Sequence, residues 1–98
     1  MPDPMIVRWT TPAAQDLQGI TRYIRKDSPT AARAVAKSLF DAANSLDNFP
    51  LKGRVGRIVG TRELVVPGLP YIIVYQLTCT AIQILHIYHG ARNWSAEQ

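Results

Sequence analysis

The chain has 98 residues, a length that suits one domain over residues 1–98 with a single modest core. Hydrophobic residues make up 47% and charged residues 18%, a globular composition that argues against intrinsic disorder. The single cysteine, Cys79, excludes an internal disulfide and a cysteine-cluster metal site. The sequence shows no secretory signal and no apolar run long enough to span a bilayer, so we expect a cytoplasmic protein.

The formal net charge is +4, and most of it lies in the second half of the chain. Residues 51–98 carry five Lys or Arg and two Asp or Glu. Four of those five cations fall within eleven positions that hold no acid: Lys52, Arg54, Arg57 and Arg62. Such a cluster suits phosphates or an acidic protein partner. It is equally typical of a solvated loop that keeps a protein soluble, since positive charge alone specifies no partner.

The first predicted elements are a strand and two helices. Residues 6–9 are rich in β-branched and aromatic side chains, which favours a strand. Thr11-Pro12 predicts a helix start, because threonine caps free amides and proline is tolerated in the first turn. Ser28-Pro29 repeats this signal, and Phe49-Pro50 ends the second helix. Apolar residues recur at spacings of three and four along both helices, so we predict an antiparallel helical hairpin.

The remaining chain predicts one irregular segment and three strands. Residues 51–60 contain three glycines among basic residues, which indicates a loop or irregular strand. No glycine-rich phosphate-binding motif occurs, so nucleotide hydrolysis and dinucleotide binding are excluded. Strands are predicted at residues 62–66, 71–77 and 81–89, and their short connections require antiparallel pairing. The last two strands are apolar on both faces, which places them in the sheet interior.

These elements predict an α+β fold with the order β-α-α-β-β-β and a mainly antiparallel sheet. Two consecutive helices do not easily sandwich a sheet, so the helical hairpin is expected to pack on one face of it. The opposite face is then open to a partner or to a third short element.

Four local patterns stand out along the chain: AAQDL followed by Ile20 and Tyr23-Ile24, the helix exit L-x-x-x-P-x-x-G-R, the pair TREL and YIIVY, and the ending HGAR-x-W. Together these patterns resemble the RelE/ParE superfamily, the toxins of bacterial type II toxin–antitoxin systems, also called plasmid stabilisation proteins. The order and spacing of the patterns are specific to the superfamily, and they occupy residues 13–24, 46–54, 61–75 and 84–94. The resemblance implies the family's fold, a growth-inhibiting toxin without cofactor or metal, and a small acidic antitoxin as partner.

The superfamily contains two activities. RelE-like members cut messenger RNA in the ribosomal A site without a metal, whereas ParE-like members poison DNA gyrase and are not nucleases. For a nuclease the candidate catalytic residues are His89 as base or acid, with Arg92 and Arg62 stabilising the charged phosphorane. Other interpretations are that His89 only closes a strand with a hydrogen bond and that Arg92 forms a salt bridge to Glu63 or Asp16.

Three departures from the nuclease pattern favour the ParE-like activity. The turn at residues 67–70 carries no charge, Lys52 is the one counterpart of the nuclease lysines, and Trp94 stands where a tyrosine is expected. We therefore predict a toxin acting on DNA gyrase, whose target or phosphate contacts are Lys52, Arg54, Arg57, Arg62 and Arg92. The alternatives are a ribosome-dependent mRNA endonuclease and a non-toxic basic RNA-binding module, in which Tyr71, Tyr75 and Tyr88 would stack on bases.

The antitoxin is expected to fold onto the helical hairpin and the basic residues, giving a toxin–antitoxin hetero-oligomer. Apolar side chains left exposed on the second helix would give it anchor points. The candidates for this antitoxin contact are Val35, Leu39 and Phe40.

Overall fold

The computed structural model describes residues 5–90 of the chain. In this range the strands are β1 (Ile6–Trp9), β2 (Arg54–Val55), β3 (Arg62–Val65), β4 (Tyr71–Leu77) and β5 (Ala81–His89). The helices are α1 (Thr11–Arg25) and α2 (Pro29–Asn44), and α2 continues into a 3-10 turn, Ser45–Asp47. The predicted α+β class and order are confirmed, with the two-residue β2 as an addition. Neither α1 nor α2 is long and apolar enough to cross a membrane.

The five strands form one sheet in the order β1-β5-β4-β3-β2. Neighbouring strands from β2 to β5 are antiparallel, as their short connections require. β1 lies parallel to β5, with Ile6 opposite Ala81 and Trp9 opposite Ile84. The prediction that the last two strands occupy the sheet interior is confirmed, because β4 and β5 each have a neighbour on both sides.

Each helix begins at a capping side chain followed by a proline in the first turn. The Ser28 hydroxyl oxygen accepts the backbone N–H of Ala31 at 3.1 Å, as the sequence predicts. The cap of α1 is Thr10 and not Thr11: its Oγ1 accepts the N–H of Ala13 at 3.4 Å and donates to the Ile84 carbonyl at 2.7 Å. Thr10 therefore both caps α1 and fastens that helix to β5.

The helical hairpin packs on one face of the sheet, as predicted. Alternation along β4 places Ile73 and Tyr75 on this face, in one apolar cluster with Leu39 of α2. The expectation that Leu39 is an exposed anchor is wrong, because its side chain is 0% exposed. Ile72 and Val74 point to the opposite face and are buried as well, so that face is not an open surface along β4.

Candidate functional site

A buried carboxylate organises the basic segment around β2. Arg54 lies opposite Glu63 in the β2–β3 pairing. The Glu63 side chain is 2% exposed, and its Oε1 lies 3.1 Å from Nη2 of Arg54. Its Oε2 accepts the backbone N–H of Arg57 at 3.1 Å. Arg54 therefore balances the charge of Glu63. The suggested salt bridge from Arg92 to Glu63 falls outside the described residues and stays a prediction.

Arg62 and Arg54, two of the predicted phosphate-binding cations, point to opposite faces of the sheet. Arg62 precedes Glu63 on β3, and successive side chains of a strand point to opposite faces of the sheet. It lies opposite Tyr75 of β4, and its Nε is buried without a hydrogen-bond partner among the residues described. The basic cluster that looks continuous in the sequence is therefore divided between two faces of the sheet.

His89 lies far from Arg62. In the sheet register His89 is opposite Tyr71 and Arg62 is opposite Tyr75, on strands that flank β4. Four residues along β4 and two strand spacings put the two Cα atoms about 16 Å apart. The His89 ring packs edge-on against Tyr71, with ring centroids 5.5 Å apart. The structure does not bring these two predicted catalytic residues together, and the third, Arg92, lies outside the described residues.

His89 instead lines an open cleft between α1 and the end of β5. The cleft measures about 590 Å³, and its walls include Asp16 and Tyr88. Oδ2 of Asp16 lies 3.1 Å from Nδ1 of His86 and accepts the backbone N–H of Ile87 at 3.0 Å. Asp16 therefore joins α1 to the part of β5 that extends beyond β1.

The Tyr88 phenol in the cleft is less acidic than a free tyrosine side chain. Burial, and then the nearby Asp16 carboxylate, raise the pKa of the Tyr88 phenol above its ordinary value of 10.0. Tyr88 is therefore a neutral phenol at physiological pH, and His86 stacks on its ring at a centroid distance of 5.2 Å. Within residues 5–90, no group of three or more His, Cys, Asp or Glu side chains is arranged to hold a metal ion.

Tyr75 holds the chain that leads into β2. Its side chain is fully buried, and its hydroxyl donates to the Pro50 carbonyl at 2.8 Å and accepts the N–H of Gly53 at 2.9 Å. A Cβ atom on residue 53 would lie 2.7 Å from this hydroxyl, so the close approach requires Gly53. Tyr75 is therefore not available as a base-stacking surface, and that part of the RNA-binding alternative is wrong.

Replacing Tyr75 by phenylalanine should destabilise the protein by about 1–3 kcal/mol, because the Gly53 N–H and the Pro50 carbonyl lose their buried partner. Urea denaturation measures this change in the free energy of unfolding. Tyr23→Phe is the matched control, since Tyr23 is exposed and its substitution should change stability by less than about 0.5 kcal/mol. Equal stability of both variants would contradict the assigned role of the Tyr75 hydroxyl.

The exposed apolar side chains only partly follow the prediction. On α2, Val35 is half-buried, whereas Phe40 is exposed as predicted, and its ring stacks on Trp9 with centroids 5.9 Å apart. The segment of residues 49–59, in contrast, exposes five large apolar side chains: Phe49, Leu51, Val55, Ile58 and Val59. The sequence analysis missed this surface because it weighed only the charges of the segment. The signal available was the presence of large apolar residues in a glycine-rich, basic stretch with no helical or strand periodicity.

Comparison with known proteins extends over nearly the whole chain. A family model described as the ParE toxin of the type II toxin–antitoxin system parDE matches residues 7–94. A protein of Sinorhizobium fredii named putative toxin Y4kP is 41% identical over 88 residues, which cover 90% of this chain and 91% of that protein. Toxin RelE2 of Caulobacter vibrioides is 40% identical over 86 residues, which cover 88% of this chain and 96% of that protein.

Two solved structures share the fold. The chromosomal ParDE toxin–antitoxin system of P. aeruginosa contains a chain that superposes with a TM-score of 0.80 and 26% identity, covering 87% of this chain and 95% of that one. The RelBE2 toxin–antitoxin complex of Mycobacterium tuberculosis contains a chain with a TM-score of 0.56 and 28% identity, covering 89% of this chain and 99% of that one. Both neighbours come from toxin–antitoxin systems.

Proposed function

Since the chain belongs to the ParE toxin family, within the RelE/ParE superfamily of type II toxin–antitoxin systems, we propose that it inhibits growth by acting on DNA gyrase. Its partner is a cognate antitoxin, a small acidic protein that neutralises it, and both act in the cytoplasm. The observation that carries the choice of gyrase is the wide separation of His89 from Arg62.

Cleavage of RNA through the 2′-hydroxyl needs a base, an acid and stabilising cations around a single phosphate. His89 on β5 lies opposite Tyr71 and Arg62 on β3 lies opposite Tyr75, so β4 separates the two, and Arg54 is already engaged by the buried Glu63. His89 and Arg62, the two predicted catalytic residues that the structure describes, therefore do not share a site for one phosphate. This arrangement favours a toxin that binds a protein target over one that cuts RNA.

The second candidate function is a ribosome-dependent, metal-independent mRNA endonuclease. It is favoured by the 40% identity to the protein named Toxin RelE2 and by the position of His89 in an open cleft. In that case His89, Arg62 and Arg92 would be the catalytic residues, with Lys52 and Arg57 contacting the RNA backbone.

The two functions are separated by assaying gyrase supercoiling and the integrity of ribosome-bound mRNA with the same purified chain. We expect supercoiling to fall and the mRNA to stay intact. The His89→Ala variant should inhibit growth to within about twofold of the unsubstituted chain. If His89 were a catalytic base or acid, its loss would instead lower the rate of mRNA cleavage by about 10²–10⁴-fold. A thermal melt of the variant controls for folding. Cleaved mRNA that depends on His89, together with normal supercoiling, would overturn the gyrase proposal.

A further inference from the structure

Residues 49–59 form an exposed apolar surface. Of the nine large hydrophobic side chains that are exposed among residues 5–90, five lie in this segment. Val59 is 97% exposed and Val55 is 78% exposed. Phe49 and Leu51, together with Pro50 and Lys52, line an open groove of about 570 Å³. Apolar side chains clustered in this way on a small protein mark a surface that a partner covers.

The same segment is positively charged. It contains Lys52, Arg54 and Arg57 and no acidic residue. Glu63, the first acid after the segment, is buried and paired with Arg54, so it presents no carboxylate at the surface. Asp47, the first acid before the segment, is half-buried and lies outside it. The complementary partner is therefore a segment that alternates Asp or Glu with large apolar side chains.

Hydrogen bonds hold the backbone of this segment in place. The Tyr75 hydroxyl fixes it at residues 50 and 53, and the Glu63 carboxylate fixes it at the N–H of Arg57. Thr61 closes its far end: the Thr61 carbonyl accepts the N–H of Gly56 at 2.8 Å, and the Thr61 hydroxyl donates to the Ile58 carbonyl at 2.6 Å. A backbone fixed in this way lowers the entropy lost when a partner binds.

We infer that residues 49–59 are the docking surface for an acidic, apolar segment of the antitoxin, an inference that rests on the toxin–antitoxin pairing proposed above. The helical hairpin exposes two large hydrophobic side chains, Tyr23 and Phe40, against five in residues 49–59. The chain's net charge of +4 makes an acidic protein the complementary occupant. By covering the segment, the antitoxin shields the exposed valines and the basic side chains together.

The test is isothermal titration of the full chain with the full-length antitoxin encoded beside its gene. The double variant Val55→Ser/Val59→Ser should weaken binding by about tenfold or more, because it removes apolar contacts. Lys52→Gln should weaken binding by about threefold and make the affinity less dependent on salt. The melting temperature of each variant should equal that of the unsubstituted chain, since all three side chains are exposed.

Two controls match these variants in chemistry but lie elsewhere. Ile6→Ser removes an exposed β-branched side chain from β1, at the opposite edge of the sheet. Lys26→Gln removes an exposed charge from the link between the helices. Both should bind the antitoxin within about twofold of the unsubstituted chain, because neither side chain lies in the proposed surface.

Growth assays separate the antitoxin from the growth-inhibition target. Val55→Ser/Val59→Ser should still inhibit growth, and co-expressed antitoxin should no longer restore it fully. Antitoxin affinity equal to that of the unsubstituted chain would overturn the inference, as would a variant that loses growth inhibition but keeps its antitoxin affinity. Failure of the gyrase proposal would instead appear as normal supercoiling with the unsubstituted chain, with the antitoxin affinities unaffected.

Discussion

Replacing Leu39 by alanine should destabilise the protein by about 2–5 kcal/mol, the range for truncating a fully buried leucine. Leu39 is 0% exposed and belongs to the cluster that joins α2 to Ile73 and Tyr75 of β4. The cost combines the lost burial of the side chain with the cavity left between the helix and the sheet. Thermal or urea denaturation measures it directly.

Phe40→Ala is the comparison, because Phe40 follows Leu39 on the same helix but is half-exposed and packs mainly against Trp9. Its cost should be about 1 kcal/mol, the scale of one aromatic pair with partial burial. If Leu39→Ala kept normal stability and lost antitoxin affinity, Leu39 would be an antitoxin anchor and its assignment to the core would be wrong.

The helical hairpin shows what periodicity predicts and what it leaves open. The spacing of apolar residues on α2 places Leu39 and Ala43 in one stripe, and both are buried against the sheet. Periodicity does not give the width of the stripe that the sheet covers. Phe40, at the margin of the stripe, is half-exposed, whereas Leu39 is fully buried. A side chain's place in a helical stripe therefore predicts its direction better than its exposure.

The sheet was predictable where its pairings are local. Short connections dictate the β3–β4 and β4–β5 pairs, and apolar residues on both faces dictate their central place. The parallel pairing of β1 with β5 depends on where the chain returns after the helical hairpin, which no local signal gives. Likewise, the Tyr75 hydroxyl bonds to Pro50 across 25 positions, and only the folded chain brings these residues together.

The strand pattern of the sequence predicts that the basic cluster is divided between two faces of the sheet, although its charges suggest one continuous patch. Arg62 and Glu63 are consecutive residues of a predicted strand, so their side chains had to point to opposite faces. The sequence left the partner of Glu63 open among the arginines near it. That partner is Arg54 because the loop between β2 and β3 sets a register in which the two residues lie opposite each other.

Replacing Arg54 by methionine should destabilise the protein by about 1–3 kcal/mol, because it leaves the buried Glu63 carboxylate without its cation. The expected value lies below the usual cost for a fully buried pair, since the Arg54 side chain is 55% exposed and solvent already screens it. Adding Glu63→Gln should recover much of this loss, because a neutral amide needs no cation and its oxygen still accepts the Arg57 N–H. Urea denaturation of the two single variants and the double variant gives the coupling between the residues.

Lys37 and Asp41 on α2 provide the control pair. Their charged atoms are closer, at 2.6 Å against 3.1 Å, but both side chains are exposed. Lys37→Met should therefore cost no more than about 0.5 kcal/mol, the range for an exposed pair on a helix. Burial of the carboxylate, and not the distance between the charges, decides the difference. If both methionine variants lost the same stability, Arg54 would not be needed to keep Glu63 buried, and the basic segment would depend on Tyr75 and Thr61 for its position.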